Sequence, residues 1–402
     1  MNILYVTSCW TALIDVLYNG QETINGMPAF TLVLKRLVEE GHSVDIIFYD
    51  HFPEDSNRPL NIQLPWLKKV HILNRIQVAK REKWAKPLFE FRLYREIRKA
   101  VKDACRSRRY DIIYGHGHFA EAANSIAKKQ GIPFGVRRYG DSFLNWIREK
   151  GLFYSILSEP VNYLCYKRKK TFVIATNDGS QVDKAVQMLN KRKTPYDFYF
   201  WLNGSPREQI SPQSVDVPGS PFLLYVARFV KSKQPHLAVE LLNILKERGV
   251  TLPLLYAGQK DSPDVFQHVF ELAEKYGLSP QVKYLGTLTK AEIMAYSQHA
   301  TACLSFYTPC NLGNVFIEYL TSGGVVLSLN DGSLDGIIQN AENGFLVNTM
   351  EEAADVVQRL LEKPEEWKQV KERAQKTASE TFKSWDERID DEVRLLEKYA
   401  KS

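Results

Sequence analysis

Cysteine is scarce in this chain of 402 residues: five, an odd number, at Cys9, Cys105, Cys165, Cys303 and Cys310. They are widely spread and include no Cys-x-x-Cys pair, which argues against a disulfide framework or a zinc site and favours a reducing compartment. No apolar run approaches the roughly 18–20 residues needed to span a bilayer. The opening Met1-Asn2-Ile3-Leu4-Tyr5-Val6 has no basic start, long apolar core or small-residue cleavage site, so no secretory leader is expected. The loop after that first strand lacks Gly-x-Gly-x-x-Gly, and support for a nicotinamide or flavin dinucleotide falls with it. No nucleic-acid-binding motif is matched. These absences predict a cytoplasmic protein with no nucleic acid partner. Peripheral contact at the inner membrane face stays open.

What is present is an ordinary globular balance, 44% hydrophobic and 25% charged with a net charge of +6, and length enough for about two or three domains. Ser205–Pro221 carries four prolines with Ser, Gly and Gln, as a linker would. The α/β alternation stops before it and restarts after it. The expected division is therefore 1–205, 206–384 and a final helical segment 385–402, with a cleft implied between two α/β domains.

In the first half, Ile3–Thr7 reads as a strand. A long loop through Asn25-Gly26-Met27 follows, then a helix opening at Pro28 with Phe30, Val33, Leu34 and Leu37 at helical spacing. Gly26 serves there either as a turn device or as a ligand-facing residue. Asp111–His116 and Ile132–Val136 read as buried strands, the second ending in Arg137-Arg138-Tyr139-Gly140-Asp141. Such a strand end makes a good polar site, although either arginine could simply pair with a nearby carboxylate. His116 could be a site residue or a structural strand-end histidine. Basic residues interleave with aromatics over Lys80–Arg109, predicting a helix near Leu88–Arg106. That pattern fits a solvated surface helix or a face for anionic lipid or an acidic acceptor. Leu152–Lys170 reads as a core helix with a charged end, the alternative being a shallow membrane contact.

In the second half, the strand Phe222–Ala227 ends at Arg228, and Lys233 lies five residues on. A short strand at Cys303–Phe306 leads through Pro309 and Gly313 to a helix at about Val315–Thr321, then to the strand Val325–Leu329. A further helix is expected near Leu334–Asn340. Open α/β sheets bind ligands at strand carboxyl ends. Gly313 permits close backbone approach, the free amides of a helix start suit a phosphate, and Asn314 and Glu318 share one helix face. With Arg228 and Lys233 on the same rim, the group suits a diphosphate and a sugar diol.

These motifs, taken in order, resemble the family 4 retaining glycosyltransferases of the GT-B fold. Arg228-Phe-Val-Lys-Ser-Lys233 looks like the family's donor-diphosphate segment, Val282-Lys-Tyr-Leu-Gly286 like its base-binding strand end, and Asn311–Glu318 like its loop and helix whose last Glu holds the donor ribose. Gly41-His42-Ser-Val, Asn203-Gly204, Asn343-Gly-Phe-Leu-Val and Phe382-Lys-Ser-Trp385 also fall at the family's places. The resemblance implies an α/β architecture of two Rossmann-like domains facing across a cleft, with the last helix returning to the first domain. It implies a metal-independent hexosyltransferase without a cofactor, moving sugar from a nucleotide diphosphate sugar to a glycan, lipid-linked or small-molecule acceptor.

Arg228, Lys233, Gly286, Gly313, Asn314 and Glu318 would then hold the donor, and Gly26, His116 and Arg138 would lie on the acceptor side. Three positions depart from the family. Cys310 stands where the first Glu of its pair belongs, Asn25-Gly26 replaces a glycine pair, and Tyr139 replaces the active-site histidine, beside Arg228 and Lys233 as catalytic candidates. A nucleotide-sugar epimerase of the same fold and a non-catalytic partner subunit are the alternatives.

Overall fold

The computed structural model describes residues 1–9, 11–21, 28–50, 58–77, 86–191, 193–206, 217–219, 221–308 and 311–401. The chain divides into two compact units. Unit 1 comprises Met1–Asn177, Gln181–Leu202 and Asp386–Ser402; unit 2 comprises Asp178–Ser180 and Asn203–Trp385.

Among the described residues, unit 1 is built on seven parallel strands: β1 (Asn2–Ser8), β2 (Ser43–Asp50), β3 (His71–Gln77), β4 (Ile112–His116), β5 (Phe134–Arg138), β6 (Phe172–Thr176) and β7 (Asp197–Trp201). Their order is β3-β2-β1-β4-β5-β6-β7. Ile3 to Ser8 of β1 and all of β4, β5 and β6 are buried, as expected of central parallel strands covered by helices on both faces. Unit 2 repeats the plan with β8 (Leu223–Val226), β9 (Leu254–Ala257), β10 (Val282–Tyr284), β11 (Ala302–Ser305), β12 (Val326–Leu329) and β13 (Phe345–Val347), in the order β10-β9-β8-β11-β12-β13. In both sheets the strand order reverses beside the first strand, at β1/β4 and at β8/β11. Each unit is Rossmann-like, and such reversals are where open sheets take ligands.

Local chemistry accounts for the element ends. Thr289 Oγ1 accepts a hydrogen bond from the Glu292 amide, and the Thr289 amide donates to the Glu292 carboxylate, so a capping box starts the Lys290–His299 helix. Several expectations need correction. The long loop after β1 contains a helix, Thr11–Leu17. The single helix expected over Leu152–Lys170 is two, Leu152–Ser158 and Pro160–Lys167, because Pro160 cannot donate to a preceding turn but is well placed to open a new one. The first of these is largely exposed and does not serve the core. No helix forms near Leu334–Asn340; the Ser333 amide turns back to Asp331 and the Gln339 amide to Asn343, which keeps the segment in turns. Strand β3 carries no alternating apolar pattern and was not anticipated; neither was the Val182–Asn190 helix, although Val182, Ala185, Val186 and Leu189 fall at helical spacing and are buried.

The final helix, Trp385–Ala400, packs into unit 1 from Asp386 onward. Ile389, Val393 and Leu396 form its apolar face, and Arg388 and Glu392 are carried inward on the same stripe. The buried Glu392 carboxylate accepts hydrogen bonds from Tyr114 Oη and from Arg388 Nη2, at 3.0 Å for the latter, and lies 3.6 Å from Arg137 Nε. One carboxylate thus serves two buried guanidinium groups. Removing one member of a buried ion cluster leaves uncompensated charge, at about 3–5 kcal/mol. Glu392→Ala is expected to destabilise unit 1 by about that amount, read as a lowered denaturant midpoint with little change in slope.

Candidate nucleotide-sugar site

At β8, the parallel ladder to β11 reaches only Leu223 and Leu224, whereas the ladder to β9 continues to Val226. Val226 therefore points an amide and a carbonyl toward the gap where β11 has diverged. Two tyrosines fill it: Val226 N donates to Tyr319 Oη at 2.9 Å, and Tyr307 Oη donates to Val226 O at 2.6 Å. Buried backbone groups need such partners. These ties fix the loop after β11 and the Asn314–Ser322 helix that follows it. The fully buried Asn311 completes the loop. Its side chain accepts from Ser305 Oγ and the Tyr307 amide and donates to the carbonyls of Tyr307 and Leu329, each at 3.1 Å.

On this frame the predicted donor residues are placed as follows. Gly313 precedes the Asn314–Ser322 helix, no side chain caps that end, and an added Cβ at Gly313 would meet nothing within 4 Å. A ligand can therefore approach the backbone closely at Gly313, whose own amide donates to Asn311 O at 3.0 Å. Asn314 accepts from Asn203 Nδ2 at 2.8 Å. Glu318, one turn on, is 5% exposed, and its carboxylate has no hydrogen bond or ion pair among the described residues. Burial pushes its pKa up to about 7 against the opposing pull of Lys290. Lys233 closes a short 3-10 turn, Lys231–Lys233, with its ammonium 3.8 Å from the Tyr307 ring centroid. The Thr308 amide donates to Ser232 O at 3.1 Å, tying that turn to the same loop. Arg228 is mostly exposed and turned to Asp261, 2.9 Å from Nη1 to Oδ2. Gly286 sits at the end of β10 with φ +83° and open space before it, and its carbonyl accepts from the Gly258 amide at 2.8 Å. Lys233, Gly313, Asn314 and Glu318 are thus joined through Tyr307 and one helix, whereas Arg228 leaves the same strand end toward Asp261.

In unit 1, His116 and Tyr139 lie at the ends of β4 and β5 and share a hydrogen bond, Nδ1 to Oη at 2.9 Å. His116 is fully buried and stacks on Tyr5 at 4.4 Å. Burial, with the Arg137 charge beside it, pushes its pKa well below 6.5, so the imidazole is neutral. Its Nε2 has no partner among the described residues. Tyr139 covers Arg137, whose guanidinium carbon is 5.0 Å from the ring centroid. Burial raises the Tyr139 pKa, so the phenol stays protonated. Arg138 is engaged otherwise: Nη2 donates to Asp141 and, at 2.6 Å, to Asn162 Oδ1, while Tyr166 Oη donates to Asp141 at 2.8 Å. Burial alone would raise the Asp141 pKa, but Arg138 and the Phe143 amide bring it below its ordinary value. The simple carboxylate pairing foreseen as one reading of these arginines is what Arg138 makes. Gly26 and Cys310 lie outside the described residues.

Sequence reasoning missed Asn311, Tyr307, Tyr319, Glu392 and Arg388. The i,i+4 spacing of Arg388 and Glu392 on an apolar stripe was a usable signal; nothing local marked the others. Among the described residues, no group of three His, Cys, Asp or Glu side chains is placed to hold a metal ion.

Residues 206–377 match the family model described as "Glycosyl transferases group 1". A putative glycosyltransferase, EpsD of Bacillus subtilis (strain 168), is 27% identical over 159 residues, 39% of this chain and 40% of the relative. The trehalose synthase of Pyrococcus horikoshii is 26% identical over 170 residues, 41% of each chain. The chain therefore spans about two fifths of the length of the curated relatives it matches. Among solved structures, the sucrose-phosphate synthase from Thermosynechococcus elongatus matches with a TM-score of 0.73 at 17% identity, covering 100% of both chains. Anabaena HepE in complex with UDP matches at 0.67 and 15%, covering 99% of this chain and 100% of that one. With two parallel Rossmann-like sheets and the group 1 match over 206–377, the chain resembles the GT-B glycosyltransferases.

Proposed function

We propose that this chain is a retaining glycosyltransferase that moves a hexose from a nucleotide diphosphate sugar to a carbohydrate or lipid-linked acceptor. The observation that carries this reading is Glu318. A buried, unpartnered carboxylate is costly, and it stands one turn beyond an uncapped helix start on the rim that carries Arg228 and Lys233. A nucleoside diphosphate matches the chemistry of this set. Its ribose hydroxyls donate to Glu318, and its phosphates approach closely at Gly313, beside the start of the Asn314–Ser322 helix, within reach of Lys233 and Arg228. Gly286 leaves room at the end of β10 for the base. That HepE is described in complex with UDP supports a nucleotide ligand.

In the reaction, the bond between the anomeric carbon and the diphosphate oxygen breaks as the acceptor oxygen attacks from the same face. The acceptor proton passes to the leaving phosphate. Charge grows on that phosphate in the transition state, where Arg228, Lys233 and the helix amides stabilise it without a metal ion. In this reading Tyr139, hydrogen-bonded to the fully buried and neutral His116, belongs to the acceptor side.

The direct experiment is a panel of nucleotide sugars scored by calorimetric binding and by donor hydrolysis. Binding of at least one donor is expected. Arg228→Ala should lower kcat by about a hundredfold, on the order of 3 kcal/mol. Absence of donor binding, or unchanged turnover in Arg228→Ala, defeats the proposal. Epimerisation of the donor with no acceptor present would mark an isomerase.

Glu318 supplies a pH signature. Only the ionised carboxylate accepts both ribose hydroxyls, so donor affinity should rise about tenfold from pH 6 to pH 8, given a pKa of about 7. Glu318→Gln should bind the donor more weakly, by roughly 2 kcal/mol at pH 8, with that pH dependence gone. Stability should move the other way. The folded state holds the Glu318 proton more tightly than the unfolded chain, so this contribution is complete below about pH 4.5 and is lost as pH rises through about 7. Glu318→Gln is therefore expected to gain on the native chain by on the order of 2 kcal/mol between pH 5 and pH 8, measured as the difference in Tm shift.

A further inference from the structure

Large apolar side chains left in solvent are unevenly distributed over the molecule. Of eight among the described residues, six fall in one region of unit 1: Leu88 and Phe91 in the first turns of the Lys86–Ser107 helix, and Leu152, Phe153, Tyr154 and Leu157 on the Leu152–Ser158 helix. The two helices touch. Phe153 is 77% exposed, Leu88 69% and Phe91 66%, values that a core-facing helix does not leave. Clustered exposure of this kind marks an interaction surface, whereas single exposed apolar residues do not.

The surroundings indicate what the surface meets. Leu88 and Phe91 share a helix face, and that face continues into the exposed Arg92, Arg95 and Lys99. On the other side, the Phe143–Lys150 helix packs on Leu152–Ser158 and ends in Arg148 and Lys150, with the Lys150 ammonium 5.3 Å from the Tyr154 ring centroid. Acidic side chains that reach the surface are sparse here among the described residues, Glu96, Glu149 and the half-exposed Glu159 being the interspersed ones. No helix among the described residues is long and apolar enough to cross a membrane. An apolar patch with a cationic border matches a surface that is negatively charged outside and apolar a few ångströms deeper.

We propose that this face docks unit 1 onto an anionic lipid bilayer. Phe91, Phe153 and Leu157 enter the headgroup–acyl boundary, and the neighbouring arginines and lysines lie against lipid phosphates. The inference is independent of sugar transfer and is tested without any donor.

The test is co-sedimentation of the purified full chain with vesicles of phosphatidylcholine mixed with phosphatidylglycerol, and with vesicles of phosphatidylcholine alone. Binding to the mixed vesicles is expected, at least about tenfold weaker to the neutral ones. Added salt should weaken it without abolishing it. The triple variant Phe91→Ser/Phe153→Ser/Leu157→Ser should lose binding at every salt concentration while keeping its circular dichroism, because all three side chains are exposed. Arg92→Glu/Arg95→Glu should remove the preference for anionic vesicles. Should the triple variant misfold, Phe153→Trp carries the test instead, with a blue shift of its emission on adding mixed vesicles. The proposal is overturned if the native chain stays in the supernatant, if the folded triple variant binds undiminished, or if the Phe153→Trp emission does not move. A dimer in solution that the triple variant converts to monomer would assign the face to a second copy and also overturn it.

Discussion

The arrangement of unit 2 around β8 depends on how one residue's backbone is satisfied. In a parallel sheet, the amide and carbonyl of a given residue point to the same neighbour, and at Val226 that neighbour has already turned away. Unmet, the two groups would cost a few kcal/mol. Tyr319 and Tyr307 meet them with hydroxyls 2.9 Å and 2.6 Å away. Tyr319 adjoins Glu318, and the Tyr307 ring lies under the Lys233 ammonium. The same two side chains that end the ladder therefore position the Glu318 carboxylate and the Lys233 ammonium. Loop, helix and site are positioned by one act of hydrogen-bond closure at the β8/β11 reversal.

Unit 1 meets a different constraint, an excess of buried cations. Arg137 is fully buried and Arg388 nearly so, with Glu392 the carboxylate between them. That charge has a local consequence at β4, where burial and Arg137 together keep His116 neutral. A neutral imidazole can accept a hydrogen bond or donate one, whereas an imidazolium only donates. The final helix thus does more than add apolar surface, since its Glu392 offsets the charge under Tyr139 and His116. Arg138 sits one residue from Arg137 but belongs to another network, with Asp141, Asn162 and Tyr166. Alternation along β5 sends adjacent side chains to opposite faces of the sheet.

The fold was largely legible in the sequence, because its elements have local signatures. Parallel strands appear as short continuous apolar runs, and the sites follow from what leaves their carboxyl ends. Glu318, Gly313, Arg228 and Lys233 were named from spacing alone, and the structure puts three of them on one frame. The supports were not legible, because their partners are remote in sequence. Val226 and Tyr319 are 93 residues apart, and Tyr114 and Glu392 are 278. No periodicity marks a tyrosine whose hydroxyl closes a strand end, nor an asparagine such as Asn311 that holds a loop from within. The Leu152–Lys170 segment misled for the opposite reason. Its apolar residues have helical spacing, and spacing cannot tell a face turned to the core from one turned outward.

Buried polar groups in this protein find partners almost wherever they carry full charge, which gives Glu318 its meaning. Asp141 has Arg138, Glu392 has Arg388 and Arg137, and Glu121 has Lys170 at 3.3 Å. Each of those carboxylates is closed off by the fold itself. Glu318 is buried to a similar degree and has only the distant charge of Lys290 to offset its desolvation. A fold free to optimise stability would replace it with an amide or an apolar residue, at a gain that grows with pH. Its retention beside an uncapped helix start is understandable if a ligand supplies the missing donors. Much of the desolvation cost is then already met in the free protein, and the ligand's hydroxyls meet a carboxylate that no described residue competes for.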